Sequence, residues 1–235
     1  MEIIVLSITP YKEKDGIVES LSKDGLITFL AKGIFDPKNK NAAINNIMVK
    51  ADIELSEGKQ KYPVLKTASI LDTPLKSNSN LCYLSGLMYI AEITKALLQE
   101  DEKVEMYEFL SKSLNGLKKD EKGLFVILAY TAKVLKTSGY EFDVNHCVFC
   151  GKKENIVTFS FNEGGFVCGN CFKEDMERDL NKNQMLLLRA AFNTNDPENV
   201  DFPYEKEDAL VVLNKFYEFI IDSFGVRLKS FALIK

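Results

Sequence analysis

The sequence predicts a multidomain α+β chain. A five-stranded OB-type β-barrel comes first, then an all-α helical domain with an inserted four-cysteine hairpin. Three observations predict it. The first ~75 residues are short β-rich runs broken by turn signals. From Ser77 onward, apolar residues recur at helical spacing. Two Cys-x-x-Cys pairs fall between two of those helical stretches. The expected divisions are 1–76 for the barrel, 77–145 and 176–235 for the two parts of the helical domain, and 146–175 for the insert.

Ile3-Ile4-Val5-Leu6-Ser7-Ile8 is a β-rich run closed by Thr9-Pro10. Gly16 to Leu21 alternates, Lys23-Asp24-Gly25 is a tight-turn signal, and Leu26 to Lys32 is the hairpin partner. A polar loop rich in Asn and Lys follows, from Gly33 to Asn46. Ile47, Val49, Ala51, Ile53 and Leu55 then share one face of a fourth strand. Ser56-Glu57-Gly58 turns the chain, and Val64 to Leu71 is the fifth strand, before Thr73-Pro74. Five short strands with one long loop suit an OB-type Greek-key barrel; an SH3-like barrel is the close competitor.

Ser77-Asn78-Ser79-Asn80 is rich in capping residues. Leu84, Leu87, Met88, Ala91 and Leu98 mark the first helix, and further helices are expected near 103–115, 122–138, 182–193 and 206–224. Gly139 and Gly225 stand where helix-ending glycines belong. Leu213, Tyr217, Ile220 and Phe224 form one stripe of the last helix, the pattern of a bundle core.

The cysteines carry the chemistry. Cys147-Val148-Phe149-Cys150 and Cys168-Gly169-Asn170-Cys171 are separated by seventeen residues, a spacing that reads as a zinc site. Two residues between cysteines let one turn aim both sulfurs at one metal, and Gly151 and Gly169 permit the close backbone approach. Ile156 to Phe161 alternates like a strand, Glu163-Gly164-Gly165 turns, and Phe166-Val167 returns to the second pair. One structural Zn2+ on Cys147, Cys150, Cys168 and Cys171 is the expectation. Four thiolates leave no open position for water, so the site argues against metal catalysis. Two disulfides or a redox pair are the alternatives, and His146 is an alternative ligand. Met1-Glu2-Ile3-Ile4 has no basic signal-peptide region, which favours a cytoplasmic chain with reduced thiols. Cys82 reads as a small core residue of a helix.

Composition excludes more than it proposes. Net charge is −4, with 46% hydrophobic and 27% charged residues, an ordinary globular balance. No apolar run has the length of a membrane span. The first 76 residues carry 11 lysines against 10 acidic residues, while the rest carry 19 basic against 24 acidic. The lone histidine, His146, limits triad chemistry, and no P-loop or dinucleotide fingerprint occurs. Glu100-Asp101-Glu102 and Asp120-Glu121 read as solvated turns or caps between helices. Neither an enzyme nor a small-molecule substrate is indicated.

Lys32, Lys38, Lys40 and Lys50, against Asp36 alone, give residues 32–50 a net charge of +3. Lys12 and Lys14 lie in the first interstrand segment and join them as candidate phosphate contacts. Phe35 is a candidate base-stacking ring. A solvated lysine-rich loop, with Phe35 as a packing residue, is the plainer reading of the same residues.

The order of these parts resembles the RecO family of bacterial recombination mediators. Tyr11-Lys12-Glu13-Lys14-Asp15 is similar to that family's Tyr-x-Glu-x-Asp, and Ala31-Lys32-Gly33 to its Ala-Lys-Gly. Gly139-Tyr140 leading to Cys147-x-x-Cys150-Gly151, Gly164-Gly165-Phe166-Val167-Cys168, and the closing Leu228-Lys229-Ser230 also match. The resemblance implies a DNA repair and recombination protein that binds single- and double-stranded DNA and anneals strands. It implies engagement of the C-terminal tail of single-stranded-DNA-binding protein (SSB) and, with RecR, loading of RecA. It implies a cytoplasmic, nucleoid-associated protein. Relatives often carry arginines after Ala-Lys-Gly, where this chain has Ile34-Phe35-Asp36-Pro37. That departure implies weaker DNA affinity or a greater dependence on RecR. The competing function is a protein-interaction scaffold with a structural zinc and no direct DNA role. A zinc enzyme is disfavoured by the four sulfurs.

Overall fold

A computed structural model of the chain describes residues 1–56, 61–74, 81–99, 102–119, 122–176, 178 and 180–234. The expected turn at Glu57-Gly58, the cap-rich 77–80 segment and the acidic pairs at Glu100-Asp101 and Asp120-Glu121 lie outside the described residues, as does the side chain of Cys82.

Five strands, β1 (Glu2–Tyr11), β2 (Asp15–Ser22), β3 (Gly25–Ala31), β4 (Lys50–Ser56) and β5 (Val64–Asp72), close into a barrel of order β1-β2-β3-β5-β4. β1 pairs antiparallel with both β2 and β4, and β3 meets β5 in parallel at Leu30 and Val64. This is the OB-type closure. Side chains alternate across the wall. Ile3, Val5, Val18, Phe29, Ala51 and Ile53 fill the interior, with Ile34 and Ile44 from the β3–β4 connection.

The opposite face of β1 is also covered. Ile4 and Leu6, with Leu21 and Met48, join the core of the helical region. Both faces of β1 are therefore apolar, and this explains its unbroken run from Ile3 to Leu6. Ile47 departs from the expected alternation. Met48 has φ of +62°, and the strand proper begins only at Lys50. The chain direction changes there, so Ile47 packs on the helical side while Val49 points into the barrel.

The helices are α1 (Leu81–Leu97), α2 (Glu102–Leu117), α3 (Gly123–Thr137), α4 (Lys182–Asn193) and α5 (Lys206–Phe224). α3 is buried from Leu124 to Ala132 without a break and touches the other four helices. A helix apolar all round belongs at the centre of its domain. Asn181 and Gln184 form a reciprocal capping box at the start of α4. Gly225 ends α5 in the left-handed conformation, φ +67°, with its N–H on the Ile221 carbonyl.

Polar contacts tie barrel to helices. Lys95 of α1 donates to Ser7 Oγ at 2.7 Å and pairs with Glu19, and Ser7 donates to Glu19 at 2.6 Å. Tyr107 of α2 donates to Glu2 at 3.2 Å, and Lys50 pairs with Glu2 at 3.4 Å.

Between α3 and α4 lies a three-stranded sheet, β6 (Asp143–Cys147), β7 (Ile156–Ser160) and β8 (Gly165–Cys168), in the order β6-β8-β7. The expected β7–β8 hairpin is present, and β6 adds a strand parallel to β8. Phe142 anchors the sheet on the bundle. Its ring meets Phe159, Phe161, Phe192 and Phe219 edge-on, with centroids 5.3–5.5 Å away.

Candidate metal centre and nucleic-acid interface

The two cysteine pairs meet at one end of the small sheet. Cys147 ends β6, Cys168 ends β8, and Cys150 and Cys171 lie on the turns that follow. The first turn is closed by Gly151 N–H on the Cys147 carbonyl and Cys147 N–H on the Lys152 carbonyl, both at 2.8 Å. The second is closed by the N–H groups of Cys171 and Phe172 on the Cys168 carbonyl. Gly151 takes φ of +70°, which glycine adopts without strain. Gly169 serves close approach instead: a Cβ there would lie 2.6 Å from Asn155 Nδ2.

All four sulfurs lie within 4.8 Å of one another, and Cys150 Sγ is 3.7 Å from Cys168 Sγ. A tetrahedral zinc with ~2.3 Å bonds needs sulfur–sulfur edges of about 3.8 Å. A disulfide needs about 2.05 Å, and all four cysteines are free thiols. The donor set and its spacing fit one zinc. Cys147 and Cys168 are buried, Cys171 is half-buried and Cys150 is exposed.

The site favours thiolate unevenly. Burial opposes ionisation of Cys147. The backbone N–H groups of Cys168, Phe149 and Cys150 outweigh it and bring the pKa down to about 6. Cys171 is pushed up to about 12, chiefly by its contact with the Cys150 sulfur and then by burial. The lowered value favours the thiolate at Cys147, and a bound dication would supply the field that ionises Cys171. His146 is not in the group; its ring lies 3.4 Å from the Asp143 carboxylate. That carboxylate accepts the N–H groups of Asn145 and His146 and so shapes the approach to Cys147.

At the far end of the barrel, the β1–β2 turn and the start of the β3–β4 connection are joined. Phe35 N–H donates to the Lys14 carbonyl at 3.1 Å, and Gly33 N–H to Asp15 Oδ1 at 2.8 Å. Lys12, Lys14, Lys32 and Phe35 therefore share one end of the barrel. Lys14 pairs with Asp36 at 3.0 Å. The Lys38 N–H and then the Lys14 ammonium hold the Asp36 carboxyl below its ordinary pKa. Lys12 sits over the Tyr11 ring. Lys32, Lys38 and Lys40 are exposed, and Phe35 is half-buried against the barrel core.

Lys50 lies elsewhere. It stands opposite Ile4, seven residues before Tyr11 on β1. That is up to ~23 Å of strand from the lysine end. Its ammonium pairs with Glu2 and lies over the Tyr107 ring of α2. The sequence missed this seam role, which depends on a contact with a residue 57 positions away.

Comparisons with known proteins follow this division. The family model described as Recombination protein O N terminal matches residues 1–74, and Recombination protein O C terminal matches 78–228. The DNA repair protein RecO of Thermoanaerobacter sp. (strain X514) is 32% identical over 173 residues, 72% of this chain and 69% of that protein. That of Bacillus pumilus (strain SAFR-032) is 26% identical over 97% of this chain and 90% of its own length. That of Oceanobacillus iheyensis is 24% identical over 97% and 89%.

Proposed function

The chain belongs to the RecO family of DNA repair proteins, and on that premise we propose that it is a non-enzymatic mediator of homologous recombination. It binds single- and double-stranded DNA, promotes annealing of complementary strands on SSB-coated DNA, and acts with RecR in loading RecA. It engages the SSB C-terminal tail and works in the cytoplasm, at the nucleoid. No helix among the described residues is long and apolar enough to cross a membrane.

One observation carries the DNA reading. Exposed Lys32 precedes, and exposed Lys38 and Lys40 follow, a loop start that is stitched to the Lys12–Asp15 turn, in a chain of net charge −4. Exposed lysines gathered at one end of a barrel in an acidic chain attract a phosphate backbone through counterion release. Lysines act there as point charges rather than bidentate forks. The Cys147, Cys150, Cys168 and Cys171 set would hold one structural zinc that staples the three-stranded sheet. We divide the chain as 1–76, 77–145, 146–175 and 176–235, with the strand β6 of the small sheet beginning at Asp143.

The test is annealing of complementary oligonucleotides pre-coated with the cognate SSB. Acceleration that fades with added salt supports the mediator. No acceleration by folded, zinc-loaded protein moves the assignment to a protein-interaction scaffold.

A further inference from the structure

The β3–β4 connection holds four asparagines that are used differently. Asn39 donates its amide to the Lys32 carbonyl and accepts the Asn41 N–H, at 3.0 and 2.8 Å. Asn41 is buried; its side chain accepts the Ala68 N–H and donates to the Lys66 carbonyl, fixing the loop to β5. These two are committed to structure. Asn45 is half-buried and Asn46 exposed, and neither side-chain amide makes a hydrogen bond among the described residues.

Those two asparagines line an open recess of 430 Å³ together with Phe35, Pro37, Ala42 and Ala43, over a floor of Ile34. The volume lies within the ~300–1,000 Å³ of ligand pockets. One part of the lining is apolar and flat: the half-buried Phe35 ring and the exposed Pro37. Another carries two amides, each with donors and an acceptor, the pattern that matches a base edge. Exposed Lys38 and Lys40 belong to the same connection. Asp36 is the acidic group on this segment, and it is already paired with Lys14.

We infer that this recess takes an unstacked nucleobase of single-stranded DNA. The Phe35 ring offers a stacking surface, Asn45 and Asn46 offer hydrogen bonds to the base edge, and the neighbouring lysines hold the flanking phosphates. A base within a duplex is stacked and paired, so the recess favours single strands over double strands. The inference rests on the DNA-binding reading above and deepens it: the lysines supply affinity, and the recess tells a strand with accessible bases from bare phosphate.

The experiment compares two fluorescein-labelled probes of equal length by anisotropy: a 20-nucleotide mixed-sequence strand and its fully abasic counterpart. The full chain is used, with Phe35→Leu and with Asn45→Ala/Asn46→Ala. Wild type binds the base-bearing strand about 5- to 100-fold more tightly than the abasic one, the range expected for one stacked base. Each variant loses most of that ratio. Lys32→Glu/Lys38→Glu/Lys40→Glu weakens both probes together. Equal wild-type binding to both probes overturns the recess and leaves the DNA reading intact. So does a ratio that both variants retain, as when an apolar peptide is the true occupant. Binding to neither probe at low salt overturns both.

Discussion

The carboxylate of Glu92, in the middle of α1, accepts both the backbone N–H of Ser230 at 2.9 Å and its hydroxyl at 2.5 Å. Its other oxygen takes the Lys229 N–H at 2.9 Å. One acid side chain thus caps the short 3-10 turn, Lys229–Leu233, that closes the chain. The Tyr217 and Phe231 rings stack beside it, with centroids 4.0 Å apart.

Glu92→Ala should destabilise the fold by about 1–2 kcal/mol, because it strips charge-assisted hydrogen bonds from a part-buried turn. Urea unfolding measures it. Burial pushes the Glu92 carboxyl up, but the Ser230 and Lys229 donors outweigh it and hold the pKa below its ordinary value. Its contribution is therefore present above the unfolded carboxylate pKa of about 4.3 and is lost as pH falls through the lower folded value. The gap between wild type and Glu92→Ala should be full at pH 7 and shrink as pH falls below about 4.3, closing only below the depressed folded value. A gap that does not shrink at all as pH falls through the acid range would assign the effect to packing.

Metal analysis should find one zinc per chain. Chelation or Cys171→Ser should lower Tm by about 5 °C or more, because metal binding and folding of the small sheet are coupled. The pH dependence has a definite sign. Metal displaces a proton from Cys171, whose pKa is pushed up to about 12, so affinity rises with pH. It should drop most steeply below about pH 6, where protons also compete for Cys147. A competition titration with a chromogenic chelator from pH 5.5 to 8 reads this directly. An affinity independent of pH would exclude thiolate ligation.

Gly165 faces Asp143 across the β6–β8 pairing. A Cβ there would fall 2.3 Å from the Asp143 carbonyl oxygen, and its φ of +154° is strained for any other residue. Gly165→Ala should cost at least about 2 kcal/mol and part β6 from β8. The loss should appear as faster zinc release as well as lower Tm, since Cys147 ends one strand and Cys168 the other. Gly164→Ala is the control. Its φ of +82° carries strain, but no atom lies within 4 Å. It should destabilise less and keep the metal.

The parts that could be read from the sequence are those set by local pattern. Alternation in β2, the tight turn into β3, the apolar stripe of α5, the helix-ending Gly225 and the Cys-x-x-Cys turns all act over a few residues. The remainder is non-local. Asp143-Val144-Asn145-His146-Cys147 lacks a strand pattern, and it is extended because β8 lies beside it. Ile47 matched the period of β4, but the left-handed Met48 turned it to the other core. Lys50 reads as one more cation of the loop, yet its ammonium pairs with Glu2 and lies over the Tyr107 ring, contacts that no local pattern announces. The same limit hid the Glu92–Ser230 contact, 138 residues apart.

The lysines give a prediction in which geometry, not charge count, decides. Each lysine that neutralises a phosphate adds about 0.7 to the slope of log affinity against log salt for single strands. Replacing Lys32, Lys38 and Lys40 with Glu should weaken binding and flatten the slope by about 2, measured by anisotropy between 50 and 200 mM salt. Lys50→Ala removes one positive charge from the same sequence stretch. Its ammonium, however, is engaged with Glu2 and Tyr107 at the barrel–helix seam, opposite Ile4 rather than beside Lys12. Lys50→Ala should therefore leave the slope unchanged and lower stability by about 0.5–1 kcal/mol, the scale of a part-exposed ion pair with a cation–π contact. A slope change for Lys50 equal to that of one loop lysine would extend the DNA path down the barrel wall to α2. A triple variant with an unchanged slope would remove the loop from the interface.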